Sequence, residues 1–298
     1  MNRNTLWRGS VALLLVAMTL IGSLLGIAWR RSHRVRDAPP LTVTFLSVGD
    51  GDCTLVRTPE GHAILLDAGS SQAGPIVATS LRRLGVRTID LLILTAPDDA
   101  SVGGVPALLE SGVKVSQVWD NPVEDTGDAR RDALEAIRRR HIPSSTANAG
   151  DAIQVGEMLF VSAIWPPVTG EAARRDPLVC RINYGSAAFL FEAATTKQAE
   201  GDLVGQGKQQ IECGGPCTDL VLQFAAHDGE APSPEMLRRS TPSVAVISRG
   251  PDSPPSAETL HHLQAAGAAV WRTDTQGTIT VTANGRLSPV VTADHLPN

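Results

Sequence analysis

Acidic residues stand directly after apolar, strand-like runs at several places in the sequence. Asp50 and Asp52 lie in a Gly-Asp-Gly-Asp segment, Asp98 and Asp99 are adjacent, and His227 is followed by another aspartate. Carboxylate oxygens are the ligands that hard cations such as Mn²⁺, Mg²⁺ and Ca²⁺ prefer, and imidazole is a common ligand of Zn²⁺. These residue types suit metal-dependent chemistry, but the simpler interpretation, which the sequence favours, is a set of solvated acidic loops.

Other reactive patterns are absent from the sequence. There is no G-x-S-x-G nucleophile elbow, no G-x-x-x-x-G-K-[ST] phosphate loop, no H-E-x-x-H and no C-x-x-C pair. Cys213 and Cys217 flank Gly-Gly-Pro, a turn that is compatible with a disulfide. Two cysteines alone do not complete a four-ligand zinc site. The sequence leaves open whether these two cysteines are bonded to each other.

Short apolar runs separated by turn residues predict the strands that position these acidic segments. Leu41–Val48, His62–Asp67 and Ile89–Thr95 are predicted strands, and Ile76–Leu84 is a predicted helix that ends at a glycine. In the second half of the chain, strands again alternate with helices. Two β-rich halves with helices outside predict an α/β fold, a four-layer αββα sandwich.

Four stretches of the sequence match one family in order and spacing. LTVTFLSVGDGDCTLVRTPEGHAILLDAG (41–69) resembles "FLDVGQGDA…TP.G..ILIDGG", and IDLLILTAPDDASVGGVPALLE (89–110) resembles "DLLILTHPDADHIGGLPALL". Residues 178–204 resemble "LVLRLEYG..FLLTGDAE...E..L", and residues 220–285 resemble the segment that begins "VLK.AHHGS". The sequence thus resembles the metallo-β-lactamase-like domain of bacterial ComEC competence proteins and their stand-alone relatives. The resemblance is collinear over about 41–285 and implies the metallo-β-lactamase-like αββα sandwich.

That resemblance also implies a metal centre whose ligands this chain has mostly lost. Members of the superfamily hydrolyse phosphodiester or related bonds with one or two metal ions, usually zinc or manganese, which lower the pKa of a bound water. The family's histidine and aspartate ligands are replaced here by Ala96, Ala100, Ser101, Ala194 and Ala226. Only Asp98 and His227 stand at ligand-type positions. We therefore expect no metal cofactor, with a Mn²⁺, Mg²⁺, Ca²⁺ or Zn²⁺ ion as the alternative.

The remaining candidates for the pocket are acidic residues and one histidine: Asp50, Asp52, Asp67, Asp98, Asp99 and His227. Asp67 matches the aspartate that organises the family's metal loops, and its simpler role is to accept hydrogen bonds from backbone amides. Because the losses fall on separate loops, we expect a pseudoenzyme with a binding or structural role. The alternative is a divergent metal-dependent hydrolase, phosphodiesterase-like or nuclease-like. A link to DNA uptake follows only from the resemblance to ComEC.

The N-terminal region is predicted to anchor the chain in a membrane as a single-pass protein. Residues 9–29 carry no charged side chain, which is the pattern of a bilayer-spanning helix, and Trp7 and Trp29 lie where interfacial aromatics belong. A cleaved signal peptide is the alternative, and Arg30 and Arg31 directly after the small-residue site disfavour it. The flanking arginines fit either orientation, and we expect an extracytoplasmic body.

The predicted organisation is a tail (1–8), the membrane helix (9–29), a basic linker (30–40), the metallo-β-lactamase-like domain (41–285) and a C-terminal tail (286–298).

Apart from the first 37 residues, which hold six arginines and one aspartate, the chain has 20 basic and 30 acidic residues, a net charge of −10. Such an acidic body disfavours nonspecific binding to nucleic acid, because that affinity comes mainly from neutralising phosphates. The expected partners are the membrane and a protein of unknown identity.

Overall fold

A computed structural model describes residues 40–124, 127–192, 195–206, 219–224, 232–285 and 288–295. All of them belong to the unit Pro40–Asn298. The predicted membrane segment 9–29, together with residues 1–8 and 30–39, lies outside the described residues. Within the described ranges, no helix has both the length and the apolar composition needed to cross a bilayer.

Apolar residues in short runs build the strands of the structure. The first half of the chain contributes β1 (Leu41–Phe45), β2 (Thr54–Arg57), β3 (Ala63–Leu66), β4 (Thr88–Ile89), β5 (Leu91–Leu94), β6 (Lys114–Val115), β7 (Val118–Asp120) and β8 (Ser144–Thr146). The second half contributes β9 (Ala152–Val155), β10 (Leu159–Trp165), β11 (Val179–Tyr184), β12 (Ala187–Phe191), β13 (Asp219–Phe224), β14 (Val244–Ile247), β15 (Ala269–Arg272), β16 (Ile279–Ala283) and β17 (Val290–Ala293).

These strands form two large sheets and one small one. The order is β17-β16-β1-β2-β3-β5-β7-β8 in the first sheet and β15-β14-β13-β12-β11-β10-β9 in the second, and β4 pairs with β6. In the first sheet, β3, β5, β7 and β8 are parallel, and in the second, β12 to β15 are parallel. Late in the chain, β16 returns to the first sheet and pairs with β1, which closes the two halves into one domain.

Helices connect the parallel strands and lie outside the sheets. They are α1 (Gly74–Arg83), α2 (Asp99–Val102), α3 (Val105–Glu110), α4 (Asp128–Arg139), α5 (Ala172–Arg175), α6 (Lys197–Gln206), α7 (Pro234–Ser240), α8 (Ala257–Ala265) and α9 (Thr273–Gln276). Crossover helices of this kind are what parallel strands require, because two-residue turns join only antiparallel neighbours.

Three apolar clusters define the layers of the fold. One cluster lies between the two sheets, where the Phe45 and Phe191 rings are 6.4 Å apart. A second cluster packs Leu81 of α1 and other helical residues on the outer face of the first sheet. A third packs Met236 of α7 and Leu263 of α8 on the second sheet. The described residues therefore form the predicted αββα sandwich.

Sequence and structure differ at three places. Residues 286–298 are predicted as a tail, yet Val290–Ala293 form β17, an edge strand whose residues alternate between exposed and half-buried. The run Val113–Trp119, which has the length and composition of one strand, is divided into β6 and β7, which pair with different strands. Helix α4 begins at Asp128, a residue type typical of N-caps, but its N-cap residue is Gly127. Pairing partners, which lie far away in sequence, decide the first two differences.

The parallel strands bring the candidate site residues to the carboxyl edges of the sheets. Asp67 directly follows β3, Ala96 and Asp98 follow β5, and Glu192 directly follows β12. Neighbouring parallel strands end at the same edge, and open α/β sheets place their ligands in the crevice outside these ends. The candidate site therefore lies where this class of fold holds its chemistry.

Candidate functional site

One wall of the candidate pocket is formed by three loops of the first half, 49–52, 67–71 and 96–104. Their backbones are bonded to one another. The Asp52 amide donates to the Ala100 carbonyl oxygen at 3.0 Å, and the Asp52 carbonyl accepts a bond from the second loop at 2.8 Å. These bonds satisfy buried backbone groups and fix the loops relative to one another.

Glycines allow the closest contacts between these loops. A Cβ atom at Gly104 would lie 2.1 Å from the Ala68 carbonyl oxygen, and a Cβ atom at Gly51 would lie 2.9 Å from that of Ala100. Only glycine fits at Gly104 without moving backbone atoms, because the neighbouring group is itself main chain. The pocket wall is therefore rigidly packed.

Asp67 is buried within this wall, with 3% of its surface exposed and a φ of 60°. Its carboxylate accepts hydrogen bonds from the Thr95 amide at 2.8 Å and the Thr95 hydroxyl at 2.5 Å. Burial raises the pKa of Asp67 well above its ordinary value, and the charges of Asp52 and Asp98 raise it further, whereas the bonds from Thr95 lower it. Asp67 thus holds the end of β5 against the end of β3.

A hydrogen-bonded bridge joins the two halves of the domain beside Asp67. Gln223 of β13 donates through Nε2 to Asp52 Oδ1 at 3.0 Å and to Ser248 Oγ at 3.4 Å. All three residues are buried. Sequence reasoning missed Gln223, although a single amide within the apolar run LVLQF is a visible signal of a buried polar contact.

Asp50 is exposed and is bonded to a loop of the second half. Its Oδ1 accepts a bond from the Gly250 amide at 3.0 Å, and its Oδ2 accepts a bond from the Ser253 hydroxyl at 2.9 Å. Both carboxylate oxygens therefore have donors in the protein. Asp50 fastens the 49–52 loop to the segment after β14 rather than presenting a free ligand.

The adjacent aspartates of the ligand loop also bond to protein groups. Asp98 is the N-cap of α2, and its Oδ1 accepts the Ser101 amide at 3.1 Å. Asp99 is exposed, and its Oδ1 accepts the Ser71 amide at 3.2 Å. Capping by aspartate is favourable because the first amides of a helix have no partner within the helix.

The positions of the missing ligands carry small side chains. Ala96 is buried, Ala100 is half-buried, and Ser101 is fully buried with an Oγ that has no hydrogen-bond partner in the part of the chain that is described. Two further lost-ligand positions, Ala194 and Ala226, lie outside the described residues, as does the candidate His227.

The cysteines divide in the same way between described and undescribed segments. Cys53 and Cys180 are free and buried. Burial raises the pKa of both thiols, and the charge of Asp67 adds to the effect. Cys213 and Cys217, whose bonding the sequence leaves open, lie outside the described residues.

The donors that are described do not fit the metal centre that the resemblance implies. Within residues 40–295, leaving out the undescribed gaps, no group of three or more His, Cys, Asp or Glu side chains is arranged to hold a metal ion. A zinc centre of this kind needs three protein ligands at least, and structural sites need four. Asp50, Asp98 and Asp99 each accept hydrogen bonds from backbone or hydroxyl groups of the protein.

A second buried carboxylate lies at the carboxyl edge of the other sheet. Glu192 is 2% exposed, and its Oε1 has no hydrogen-bond partner among the described residues. Glu200 of α6 is also buried, and its Oε1 accepts the Ser233 amide at 2.8 Å. Burial raises the pKa of Glu192 well above its ordinary value, and the charge of Glu200 raises it further. Sequence reasoning missed both residues, because glutamate in a polar segment is usually exposed.

Comparison with known proteins was made by sequence and by fold. No family model matches the sequence, and no curated protein matches it. The fold is similar to that of CmlA β-hydroxylase (TM-score 0.53, 14% identity, covering 80% of this chain and 53% of that one). It is also similar to that of a putative metal-dependent hydrolase from Parabacteroides distasonis (TM-score 0.50, 12% identity, covering 78% of this chain and 93% of that one). A third similar structure is the long form of RNase Z from yeast (TM-score 0.51, 8% identity, covering 87% of this chain and 50% of that one).

These similarities define the class of fold. The chain has the sandwich fold of the metallo-β-lactamase-like metal-dependent enzymes. It spans about half the length of the CmlA and RNase Z chains. At such low identities the likeness concerns the fold, and function has to be argued from the residues of the site.

Proposed function

We propose that this chain is a membrane-anchored relative of the ComEC metallo-β-lactamase-like domains that no longer hydrolyses its substrate and serves as a binding or structural module. The observation that carries the proposal is that the surviving carboxylates accept hydrogen bonds from protein groups. Asp50 fastens a loop, Asp67 holds Thr95, and Asp98 caps α2. These carboxylates have a structural role that requires no metal.

The physical argument concerns competition for the same oxygen atoms. A carboxylate that turns away from a buried backbone amide to bind a metal ion leaves the amide without a partner, which costs about 1–3 kcal/mol. A catalytic zinc ion also needs about three protein ligands. With alanine at Ala96 and Ala100 and serine at Ser101, the loop around Asp98 lacks the other ligands of the family's motif.

A divergent metal-dependent hydrolase of phosphodiesters is the second candidate function, and one observation favours it. Burial is the largest cause of the raised pKa of Asp67, and the charges of Asp52 and Asp98 raise it further. Carboxylates that repel one another are relieved of that repulsion when they bind a hard cation such as Mn²⁺ or Mg²⁺. Under this alternative, Asp98 and His227 would contribute to the metal site.

Metal content tests the two candidates directly. The full chain, purified in detergent, is exposed to Zn²⁺, Mn²⁺ and Ca²⁺ in turn, dialysed and analysed by elemental mass spectrometry. The pseudoenzyme proposal expects no stoichiometric metal. Stoichiometric metal in the natural chain that disappears in Asp98→Ala would overturn it, and hydrolysis of a phosphodiester by the metal-loaded chain would establish the alternative.

A variant with restored ligands provides the matched control. Ala96→His, Ala100→Asp and Ser101→His together return the family's motif to the ligand loop around Asp98. If this variant retains metal and the natural chain does not, the residues at these three positions explain the loss of the metal. Circular dichroism of each variant shows whether the fold is intact.

We further propose that residues 9–29 anchor the chain, with the body on the extracytoplasmic side. The uncharged stretch and its flanking arginines support the anchor. The chain is then expected in membranes washed with alkaline carbonate, and a periplasmic reporter fused to its C-terminus is expected to be active. Recovery of a soluble chain that begins near Arg30 would instead identify a cleaved signal peptide. A part in DNA uptake is supported by the ComEC resemblance alone, and loss of uptake on gene deletion would test it.

A further inference from the structure

The edge of the first sheet opposite the pocket carries a groove of about 560 Å³ at the point where the chain enters the described unit. Pro40, which directly precedes β1, lines this groove together with Arg57, His62 and Arg87. His62 precedes β3, whereas Asp67 follows it. Because a strand rises about 3.3 Å per residue, the groove and the pocket are roughly 15 Å apart at opposite ends of β3.

Basic residues collect at this edge, and we call them the basic face: Arg57, Arg82, Arg83, Arg87 and Lys114. Arg82 and Arg83 form the last turn of α1, which runs directly into the groove-lining segment 84–88. Lys114 donates its amide to the Arg87 carbonyl at 3.0 Å. All but Arg57 are exposed. The basic face therefore gathers five basic residues near this edge of a body whose net charge is −10.

The charges of the basic face are not neutralised by the protein. No carboxylate forms an ion pair with any of its five residues in the described part of the chain. By contrast, ion pairs hold arginines elsewhere: Arg130, Arg131, Arg139, Arg175, Arg238 and Arg272. Arg57 donates from Nη1 to the Leu84 carbonyl at 2.9 Å, while its buried Nε has no partner among the described residues.

Few acidic residues lie at this edge, and one of them is already bonded to other groups of the protein. Asp90 lies 3.5 Å from His62 Nδ1 and accepts the Ala63 amide at 2.8 Å. The carboxylate of Glu60 lies beside Gly156 in the turn between β9 and β10. Neither neutralises Arg87 or the end of α1.

The helix dipole explains only part of this charge. Basic residues in the last turn of a helix are favourable, which accounts for Arg82 and Arg83. Arg57 donates to the carbonyl of Leu84, the C-cap residue of α1, so the same helix end accounts for it. Arg87 lies on a loop and Lys114 on β6, and an anionic surface outside the protein would account for these two.

We propose that the basic face docks on an anionic phospholipid bilayer. This inference rests on the proposed membrane anchor, because the chain would leave the bilayer at residue 29 and enter the groove at Pro40. Docking through this face turns the carboxyl edge, with Asp50 and the pocket loops, away from the lipid. The module would then present its pocket to partners in the aqueous compartment.

Electrostatics sets the expected size of the effect. Each basic residue close to an anionic leaflet contributes roughly fivefold to partitioning, and the attraction decays within a Debye length. Reversal of three charges on the basic face should lower docking by about a hundredfold or more. High salt should also weaken docking.

The experiment uses the full chain in lipid nanodiscs, either of phosphatidylcholine alone or of equal parts phosphatidylcholine and phosphatidylglycerol. Hydrogen exchange is followed in peptides that cover residues 82–90 and 110–117. Slower exchange in the anionic discs, lost in high salt and in Arg83→Glu/Arg87→Glu/Lys114→Glu, is the expected result. Equal exchange in both discs would overturn the proposal.

A matched variant controls for net charge. Arg131→Glu/Arg174→Glu/Lys197→Glu changes the same charge at exposed positions near the carboxyl edge, and it should keep the slowing. If it abolishes the slowing as fully as the first variant does, the effect is one of total charge and the proposal fails. Duplex DNA added to the neutral discs tests the other class of polyanion. Slowing by DNA but not by anionic lipid would also overturn the proposal.

The anchor and the docking can fail separately. If the full chain does not incorporate into discs, the membrane anchor is contradicted, and docking is then measured by flotation of the same chain with vesicles of the two compositions. Flotation with anionic vesicles alone supports the docking face without the anchor. Flotation with neither composition overturns it.

Discussion

Each of the two large sheets has a buried carboxylate directly after one of its strands, and the two carboxylates differ in their hydrogen bonds. Asp67 follows β3 and Glu192 follows β12, and burial is the largest cause of the raised pKa of each. Asp67 accepts two hydrogen bonds from Thr95 within closely packed loops. Glu192 has an Oε1 without a partner in the described ranges and faces the charge of Glu200.

The two halves of the site therefore differ in how the protein stabilises their carboxylates. In the first half, the carboxylates are part of a hydrogen-bonded framework that holds three loops in place. In the second half, burial and the charge of Glu200 favour the protonated form of Glu192. The first half is thus maintained as a scaffold, and we expect the second half to respond to pH.

The largest effect is expected from removing the Asp67 side chain. Asp67→Ala leaves the Thr95 amide and hydroxyl without acceptors and places alanine at a φ of 60°, so we expect a loss of about 3 kcal/mol in the free energy of unfolding. Asp67→Asn keeps an acceptor oxygen and tolerates this backbone conformation, so it should lose less than half as much. Urea unfolding of the detergent-purified chain measures both. Equal losses in the two variants would show that the bonds to Thr95 do not carry the stability.

Two glycine substitutions compare the packing of the two regions. Gly104→Ala places a Cβ atom against the Ala68 carbonyl, and overpacking of this kind costs about 2–3 kcal/mol. Gly201→Ala, in α6 beside Glu200, meets no atom within 4 Å and should stabilise the chain by up to about 1 kcal/mol through helix propensity. The two thermal midpoints should move in opposite directions. A midpoint for Gly104→Ala at or above that of the natural chain would contradict the rigid-wall description.

Gln223 links the two regions, because its side chain bonds Asp52 and its carbonyl accepts the Glu192 amide. Gln223→Leu removes only the side-chain bonds and should cost about 1–2 kcal/mol. A double-mutant cycle with Asp52→Asn and Gln223→Leu measures the coupling. Fully additive effects would show that the bridge between the sheets is not a stabilising contact.

The pH dependence of stability should separate the two carboxylate environments. Between the unfolded-state pKa of Glu192 and its raised folded-state pKa, the native state holds a proton that the unfolded state has released, so stability falls as pH rises. Glu192→Gln removes this pH dependence. The free energy of unfolding of the variant, relative to that of the natural chain, should therefore rise by up to about 1.4 kcal/mol per pH unit in that window.

Glu235 is the control for this measurement, because the side chains of Arg238 and Arg239 lower its pKa. Glu235→Gln should therefore lose stability relative to the natural chain as pH rises, the opposite sign. Unfolding free energies measured from about pH 2 to about pH 8 cover both windows, because that of Glu235 lies below its ordinary pKa of 4.5 and that of Glu192 lies above its own. A flat difference for Glu192→Gln across this range would show that Glu192 is ionised in the folded chain.

Much of the architecture could be predicted from local sequence. The runs that became β3 and β5 are apolar throughout, which is typical of parallel strands covered on both faces. Strand β17 could not be predicted, because its four residues are exposed or half-buried and become a strand only through pairing with β16. The candidate aspartates were identifiable from their positions after strands, whereas their donors were not: Gly250 and Ser253 are about 200 residues from Asp50 in the sequence.

The sequence by itself determined the alternation of strands and helices, the replacement of ligand positions by Ala96, Ala100 and Ser101, and the charge of the body, because these depend on residue types and on local spacing. Only the tertiary structure decided which carboxylates are satisfied, that Gln223 bridges the sheets, and that Arg57, Arg87 and Lys114 share one surface. Hydrogen bonds and surface charge depend on atoms brought together by folding, and sequence separation does not measure that proximity.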